Sequence, residues 1–197
     1  MTPVVLASKS VARAQILTGA GVSFTVVGSG VDEHAAKTEM LASGGNPRTV
    51  AEGLAELKAV SVSASHHGLV IGADQTLDLD GRLFDKVDSL DQARSRLVEL
   101  RGRRHHLYSG VVIARDGAPI WRETADATLT MRAFSDAFLD GYLGRNADAA
   151  LSSVGCYRLE GEGAQLFETI DGDYFAILGL PLLGLLDALR RYGALEQ

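Results

Sequence analysis

Three of the four Asp-Gly dipeptides, Asp80-Gly81, Asp116-Gly117 and Asp171-Gly172, separate apolar segments of strand-like composition. Asp-Gly favours the tight turn that joins two antiparallel strands, so each position predicts a hairpin-type turn. Elsewhere the apolar, β-branched run Pro3–Ala7 leads into helical spacing over Val11–Leu17, which predicts a strand followed by a helix. Hairpins mixed with strand–helix alternation predict an α/β domain with a mixed sheet flanked by helices.

The other elements follow from the same patterns. Further strands are predicted at Phe24–Val27, Leu69–Ile71, Leu107–Ala114, Ile120–Met131, Val154–Leu159, Gln165–Ile170 and Tyr174–Leu178. Helices are predicted to start at Asn46-Pro47, with the asparagine as cap and the proline in the first turn, and to cover Ser89–Leu100, Ser135–Tyr142 and Pro181–Tyr192. No stretch of linker composition divides the chain, so we expect a single domain over residues 1–197.

Composition places the chain among ordinary globular proteins, with 46% hydrophobic and 22% charged residues. The most apolar segment, Ile177–Leu189, is too short and too often interrupted to span a bilayer, and the N-terminus lacks the pattern of a signal peptide. The single cysteine, Cys156, excludes an internal disulfide and a multi-cysteine zinc site. We therefore expect a cytoplasmic protein without a membrane partner.

The formal net charge is −6 and the pI about 5.3. Such a chain lacks the basic footprint of a nucleic-acid-binding protein, so no nucleic-acid partner is expected. An anionic ligand would have to be held by a local cluster of cations or by a metal ion.

Several familiar motifs are absent. The chain has no P-loop, no nucleophile elbow and no H-E-x-x-H, and Gly28-Ser29-Gly30 lacks the third glycine of a dinucleotide fingerprint. The adjacent pairs His66-His67 and His105-His106 point in different directions, which favours exposed or internally satisfied histidines over metal ligands.

One candidate site is Ser8–Arg13, at the predicted junction of a strand and a helix. Free backbone N–H groups, the hydroxyls of Ser8 and Ser10, and the cations Lys9 and Arg13 would suit a phosphate. The alternative is an ordinary capped helix with both cations exposed.

A second candidate is Asp74, which follows the predicted strand Leu69–Ile71 and two small residues that would let a ligand approach. It could hold Mg²⁺ or polarise a water, or it could simply cap a turn. Glu33 and Lys86 are uninformative individually. Lys58 lies on the Leu54 side of its predicted helix, where it could face a cleft or snorkel to solvent.

Taken in order, segments along nearly the whole chain resemble the Maf family of nucleoside triphosphate pyrophosphatases. The matching segments are Leu6–Arg13 (family pattern L-A-S-x-S-P-x-R), Val31-Asp32-Glu33, Leu57-Lys58-Ala59, Ile71-Gly72-Ala73-Asp74, Gly81–Lys86, Gly155–Gly161, Ile170–Tyr174 and Gly179-Leu180-Pro181. The resemblance implies a Maf/inosine-triphosphatase-like architecture, a nucleoside triphosphate substrate and a homodimer.

The resemblance also implies roles for individual residues. Asp74 would accept a proton from the attacking water, and Glu33 would join it in holding a divalent metal, Mg²⁺ or Mn²⁺. Lys58, Lys86 and Arg13 would bind phosphate, with Lys58 and Lys86 in the catalytic set beside both carboxylates. Ser8 and Ser10 would cradle the same triphosphate.

Base preference is implied by Gln75 and Glu160, a pair that resembles the 7-methyl-GTP branch, whereas threonine with glutamine resembles the dTTP/UTP branch. Ala12 departs from the aromatic residue frequent in the former, and Val11, Val87 and Arg101 are further departures. The alternatives are a dTTP/UTP or inosine-type pyrophosphatase, and a nucleotide-binding regulator of septum formation without useful turnover.

Overall fold

The computed structural model describes all 197 residues and contains one seven-stranded mixed sheet. The strands are β1 Val4–Leu6, β2 Thr25–Val26, β3 Leu69–Leu79, β4 Arg82–Phe84, β5 Arg104–Arg115, β6 Ala118–Met131 and β7 Phe167–Gly172. Their order is β2-β1-β3-β5-β6-β7, and β4 pairs with β3. β1 runs parallel to β2 and β3, while the other pairs are antiparallel. The predicted α/β class with a mixed sheet is confirmed.

Helices surround this sheet. They are α1 Val11–Gly19, α2 Glu33–Ala42, α3 Pro47–Ser63, α4 Leu90–Leu100, α5 Asp136–Arg145, α6 Ala147–Ser152, α7 Tyr174–Ile177 and α8 Leu182–Arg191, with a 3₁₀ helix at Glu162–Leu166. No helix combines the length and apolar character that crossing a membrane would require.

Side-chain caps account for where most helices begin. Ser10, Asp32 and Ser89 each accept a hydrogen bond from the backbone N–H three residues later. Asn46 forms a reciprocal capping box with Thr49 ahead of α3, as the Asn-Pro signal predicted in outline. Because a helix leaves its first N–H groups without internal partners, each cap fixes the point at which a loop becomes a helix.

Helix α3 lies directly on β3 and β5 because two strand glycines leave room for its backbone. A Cβ at Gly72 would come within 2.2 Å of the Ala55 carbonyl oxygen, and one at Gly110 within 2.8 Å of the Ala51 carbonyl oxygen. The alanines of α3 complete this close contact, since Ala51, Ala55 and Ala59 are fully buried.

Two large apolar clusters meet along the long central strands. Ile71 and Ala73 of β3 belong to the cluster that includes α1 and α8, whereas Leu77 and Leu79 belong to the cluster under α4 and α5. Asp74 and the residues next to it therefore occupy the stretch of β3 between two cores, where polar side chains can reach a cavity without disrupting either core.

Two of the three Asp-Gly turns are confirmed as hairpins. Asp80 and Asp116 have φ values of 55° and 51°, and the glycines that follow have φ values of 81° and 78°. This left-handed pair of residues matches the twist of the flanking strands. The third prediction was wrong, because Asp171 and Gly172 belong to β7 itself.

Tyr174–Leu178 was predicted as a strand but contains the short helix α7. Asp173 accepts a hydrogen bond from the Ala176 N–H at 2.8 Å, and this cap starts a helical turn despite the β-type composition. The neighbouring prediction of a strand at Gln165–Ile170 was nearly correct, since β7 begins at Phe167 after the 3₁₀ helix.

Val154–Leu159 was also predicted as a strand and contains none. Cys156 has a φ of 61°, a left-handed conformation that interrupts extended backbone, and the Tyr157 ring packs against Gly155. Tyr157 and Cys156 are buried in the cluster under α4 and α5, so the apolar pattern arose from a packed loop.

Helices α2 and α6 and the 3₁₀ helix were not predicted, and strand β3 was predicted too short. Helix α2 has no buried residue and therefore no apolar periodicity, and α6 is only six residues long. Strand β3 continues from Ile71 to Leu79, so Asp74 lies within a strand, and its interpretation as a turn cap was wrong.

The close contact between α3 and β3 yields a stability prediction. Gly72→Ala should lower the free energy of unfolding by at least about 3 kcal/mol, because the added methyl group would meet backbone atoms that cannot move aside. Gly144→Ala is the control: its Cβ would have open space in helix α5, and a gain of about 0.5–1 kcal/mol is expected. Urea unfolding of both variants measures the difference, and equal stabilities would contradict the packing described here.

Candidate active site

All nine residues singled out from the sequence line one cavity of about 670 Å³. They are Ser8, Ser10, Arg13, Glu33, Lys58, Asp74, Gln75, Lys86 and Glu160. They come from the β1–α1 loop, α1, α2, α3, β3, the segment after β4 and the loop before the 3₁₀ helix. The fold thus brings together side chains that are up to 152 residues apart in the sequence (Ser8 to Glu160).

At the base of the cavity the Lys58 ammonium lies between two carboxylates. Its Nζ is 2.6 Å from Asp74 Oδ1 and 2.9 Å from Glu33 Oε1. Lys58 is only 4% exposed, so its side chain turns into the cleft and does not snorkel to solvent. Asp74 is also buried, whereas Glu33 is exposed at the start of α2. The second oxygen of Asp74 makes no hydrogen bond within the chain and remains available to a ligand.

Arg13 is buried and held in a fixed orientation. Its Nε donates to the Gly179 carbonyl oxygen at 2.8 Å, and one terminal nitrogen donates to Ser8 Oγ at 3.2 Å. Burial lowers the pKa of the Arg13 guanidinium, while the negative charges of Asp74 and Glu33 oppose that shift. An arginine stays protonated under such conditions, so Arg13 carries a buried positive charge toward the cavity.

The loop Ser8–Arg13 combines features of both interpretations that its sequence allowed. Ser10 caps α1 by accepting from the Arg13 N–H at 3.4 Å, as in an ordinary helix, and Lys9 is exposed. Arg13, however, is buried, contrary to the capped-helix alternative. The N-terminus of α1 therefore faces a cavity that already contains an arginine, which is a favourable arrangement for an anion.

Lys86 lies at the rim and makes no hydrogen bond or ion pair within the chain, unlike Lys58 and Arg13. Partial desolvation lowers its pKa, and the nearby charge of Arg13 acts in the same direction. The carboxylates of Glu33 and Asp74 act in the opposite direction but do not pair with Lys86, so its ammonium is available to contact a ligand phosphate.

Gln75 is committed to the fold through its amide nitrogen. Nε2 donates to Ser109 Oγ at 2.9 Å and to the carbonyl oxygens of Ala176 and Ile177, both at 3.0 Å. Its Oε1 makes no hydrogen bond within the chain. Gln75 therefore ties α7 to the sheet and offers the cavity an acceptor only. Glu160, at another part of the wall, is exposed and has no ion-pair partner.

Sequence reasoning missed Lys37 and Asp85, which form an ion pair where both residues line the cavity. Lys37 lies one helical turn after Glu33 on α2, so it points to the same side. The i, i+4 spacing of Glu33 and Lys37 was the available signal. It could be interpreted only once a helix had been predicted there.

His105 only partly fits the expected satisfied histidine. It is fully buried, and its Nε2 lies 2.8 Å from the hydroxyl of Tyr157, a cavity residue, but its Nδ1 has no partner. Burial, with a smaller effect of His106, lowers the pKa of His105 to about 4. The imidazole is therefore neutral at physiological pH and supports the wall as a packing group.

The side chains of the cavity can offer a divalent metal two carboxylates. Nowhere do three or more His, Cys, Asp or Glu side chains come together, so the protein alone offers no closed metal site. Glu33 and Asp74 lie on either side of Lys58 Nζ, at 2.9 Å and 2.6 Å, so the two carboxylates are close together, and each keeps one oxygen without a partner in the chain. Mg²⁺ characteristically uses one or two carboxylates together with waters and substrate phosphates, and the residues present fit that pattern.

Two acidic side chains and three cations thus line one cavity beside the central strand β3, an arrangement suited to a phosphate-bearing ligand. The model of the family described as Maf-like protein matches residues 3–192, and the chain belongs to this family. The family indicated by the sequence motifs is confirmed.

Relatives resemble the chain over almost its entire length. A protein of Caulobacter vibrioides is 63% identical over 99% of this chain and 98% of its own length. A protein of Paramagnetospirillum magneticum is 56% identical over 96% of this chain and 98% of its own length. Both are named nucleoside triphosphate pyrophosphatase. A protein of Brucella abortus, 49% identical over 95% of this chain and 94% of its own, is named 7-methyl-GTP pyrophosphatase.

The different environments of Arg13 and Lys86 yield a second prediction. Arg13→Ala should lower the free energy of unfolding by about 2 kcal/mol, because the Gly179 and Ser8 oxygens lose a charged donor. Lys86→Ala should leave stability unchanged. Both should weaken binding of a non-hydrolysable nucleoside triphosphate about tenfold or more, since each charged contact to phosphate contributes about 1.5–3 kcal/mol. Urea unfolding and calorimetric titration measure the two effects, and normal binding by both variants would place the phosphates elsewhere.

Proposed function

We propose that this protein hydrolyses a nucleoside triphosphate to the monophosphate and pyrophosphate with a divalent metal, and that it prefers 7-methyl-GTP. The enzyme class rests on the family and on the shared name of its relatives. The observation that carries the proposed chemistry is the Asp74–Lys58–Glu33 arrangement at the base of a cavity that also contains Arg13 and Lys86.

Asp74 is the proposed proton acceptor. Lys58 occupies its Oδ1 through a hydrogen bond, while Oδ2 is free to take a proton from a water in the cavity. The water oxygen would attack the α-phosphorus as the bond from that phosphorus to the bridging oxygen breaks, so that pyrophosphate leaves. Placement and charge neutralisation dominate such phosphoryl chemistry, and no covalent enzyme intermediate is required.

The cations have separate tasks in this proposal. Arg13, fixed by Gly179 and Ser8, gives a preorganised charge that needs no rearrangement when the substrate binds. Lys86 at the rim, which has no partner in the chain, contributes a charge that can contact the leaving pyrophosphate. A divalent metal held by Glu33 and Asp74 would neutralise phosphate charge and lower the pKa of a bound water.

The polarity of the two predicted base-reading side chains supports a guanine-type base. Gln75 offers only its carbonyl oxygen, because its amide nitrogen is used by α7 and Ser109. Glu160 also offers only acceptors when ionised. Guanine presents two neighbouring donors, N1–H and the 2-amino group, whereas uracil and thymine present one N–H between two carbonyl oxygens that acceptors repel. A methyl group at N7 adds a positive charge that a carboxylate attracts.

A nucleotide panel tests the preference and the metal. Pyrophosphate release from 7-methyl-GTP, GTP, UTP and dTTP should be fastest for 7-methyl-GTP, should stop with a chelator, and should resume with Mg²⁺ or Mn²⁺. Glu160→Gln should reduce kcat/KM for 7-methyl-GTP about tenfold, the effect of one charged hydrogen bond, and less for UTP. Glu168→Gln on the exposed surface of β7 serves as the control.

The outcomes of the panel separate the alternatives. A clear preference for UTP or dTTP would refute the base assignment while leaving the reaction class intact. Binding of all four nucleotides without pyrophosphate release under either metal would instead support a nucleotide-binding regulator.

Asp74→Asn tests the proton acceptor directly. The amide keeps the shape of the side chain but removes its charge and basic oxygen, so kcat should fall by at least about 100-fold. Asp80→Asn, in the hairpin that follows the same strand, should leave kcat unchanged because Asp80 lies outside the cavity. Circular dichroism should show both variants folded, and near-normal kcat in Asp74→Asn would remove Asp74 from its assigned role.

A further inference from the structure

Arg96, on helix α4, joins two segments that form different parts of the cavity wall although Arg96 itself does not line the cavity. A single terminal nitrogen donates both its hydrogens, one to the Asp85 carbonyl oxygen at 2.9 Å and one to the Val154 carbonyl oxygen at 2.7 Å. The two carbonyl groups belong to residues 69 positions apart in the sequence (85 and 154). One planar group therefore fixes the separation of two distant stretches of backbone.

The two stretches contain residues with different predicted roles. The phosphate segment, residues 85–86, contains Lys86, which is proposed to contact the triphosphate. The base segment, residues 153–160, ends in Glu160, which is proposed to contact the base. Among the side-chain hydrogen bonds of the chain, those of Arg96 are the ones that connect these two segments.

Arg96 is itself held on a rigid support. Its guanidinium lies 4.3 Å from the centre of the Phe84 ring, on the strand that leads into the phosphate segment. Helix α4 is fixed below by the buried side chains of Ala93, Leu97 and Leu100. Stacking on an aromatic ring restricts the plane of a guanidinium, so its two donors keep their directions.

The base segment behaves as one unit around its own hydrogen bonds. Ser153 Oγ donates to the Tyr157 carbonyl oxygen at 2.8 Å and accepts from the Tyr157 N–H at 2.9 Å. The Tyr142 hydroxyl donates to the Cys156 carbonyl oxygen at 3.2 Å. A displacement at Val154 would therefore be carried along the segment toward Glu160.

We infer that Arg96 is a positioning residue that sets the spacing between the phosphate segment and the base segment, and so makes kcat/KM depend on the fit of the base. This inference rests on the proposed function, since it takes the two segments to contact the two ends of one nucleotide. A substrate whose triphosphate is correctly placed would gain base contacts only while this spacing is maintained.

Arg96→Gln and Arg96→Lys test the inference, with Arg101→Gln and Arg101→Lys as matched controls. Arg101, directly after α4, likewise donates to a backbone carbonyl group (Phe134) at 3.1 Å and lies over a phenylalanine ring, but it lies away from the cavity. Arg96→Lys keeps the charge and the aliphatic stem, so it separates a planar bridging role from a simple electrostatic one and protects the test against misfolding of Arg96→Gln.

The first readout is the ratio of kcat/KM between the preferred nucleotide and the next best one. Both Arg96 variants should reduce this ratio about tenfold, mainly through a higher KM for the preferred nucleotide, and kcat/KM itself should fall about 10- to 100-fold. The Arg101 variants should keep the wild-type ratio even where they lower the melting temperature. An unchanged ratio in the folded Arg96 variants, restoration by lysine, or an equal loss in the Arg101 variants would overturn the inference.

The second readout, amide hydrogen exchange, needs no turnover. Exchange should accelerate in both 84–88 and 153–160 in the Arg96 variants, and in neither segment in the Arg101 variants. If the wild-type protein hydrolysed no nucleotide, the proposed function would fail while this measurement still tested the coupling. Unchanged exchange in the Arg96 variants would refute the coupling whatever the enzyme's substrate.

Discussion

The ion pairs of the buried Lys58 ammonium with Asp74 and Glu33 are the interaction on which the rest of the site depends. A buried charge is costly unless it is paired, and here two carboxylates from separate elements provide that pairing. The pairing is possible because α3 lies so close to β3, which in turn requires a glycine at position 72. The charge arrangement of the cavity therefore depends on the core packing, since a shift of α3 away from the sheet would separate Lys58 from Asp74.

The same arrangement explains how an acidic chain can hold a polyanion. With a formal net charge of −6, the protein as a whole does not attract a triphosphate. Arg13, Lys58 and Lys86 nevertheless line one cavity, and two of the three are buried. Charges in a partly desolvated cleft act over short distances with little screening, so their local sum matters more than the net charge. The carboxylates of Glu33 and Asp74 beside them offset much of this positive charge within the cavity.

The features that were predicted correctly from the sequence are those that depend on local chemistry. Asp80-Gly81, Asp116-Gly117 and Asn46-Pro47 determine backbone geometry through their own side chains and φ preferences, so tertiary packing did not override them. Predictions failed where contacts with residues distant in the sequence determine the secondary structure. The end of β3 is set by its long pairing with β5, and α2 carries no apolar stripe because it buries nothing.

The candidate site divides in the same way. Side chains belonging to ordered motifs, such as Asp74 and Lys58, could be assigned from the resemblance, and the fold brings them together. Arg96 could not be found, because its partners are backbone carbonyl groups at Asp85 and Val154. Every residue has a backbone carbonyl group, so its use as an acceptor does not restrict which residue type stands at that position. A bridging arginine of this kind is visible only when the loops have been placed in three dimensions.

Gln75 links the proposed base preference to the folding of the cavity wall, because one side chain serves both. Its amide nitrogen holds the carbonyl groups of Ala176 and Ile177, so α7 is positioned by the residue that follows Asp74. A threonine at this position could not span those distances with its shorter side chain. The wall near Gly179, which also accepts from Arg13, would then have to shift. A change from glutamine to threonine would therefore alter the polarity of the pocket and its shape together, so base selectivity should depend on the residues of α7 as well as on the pair Gln75 and Glu160.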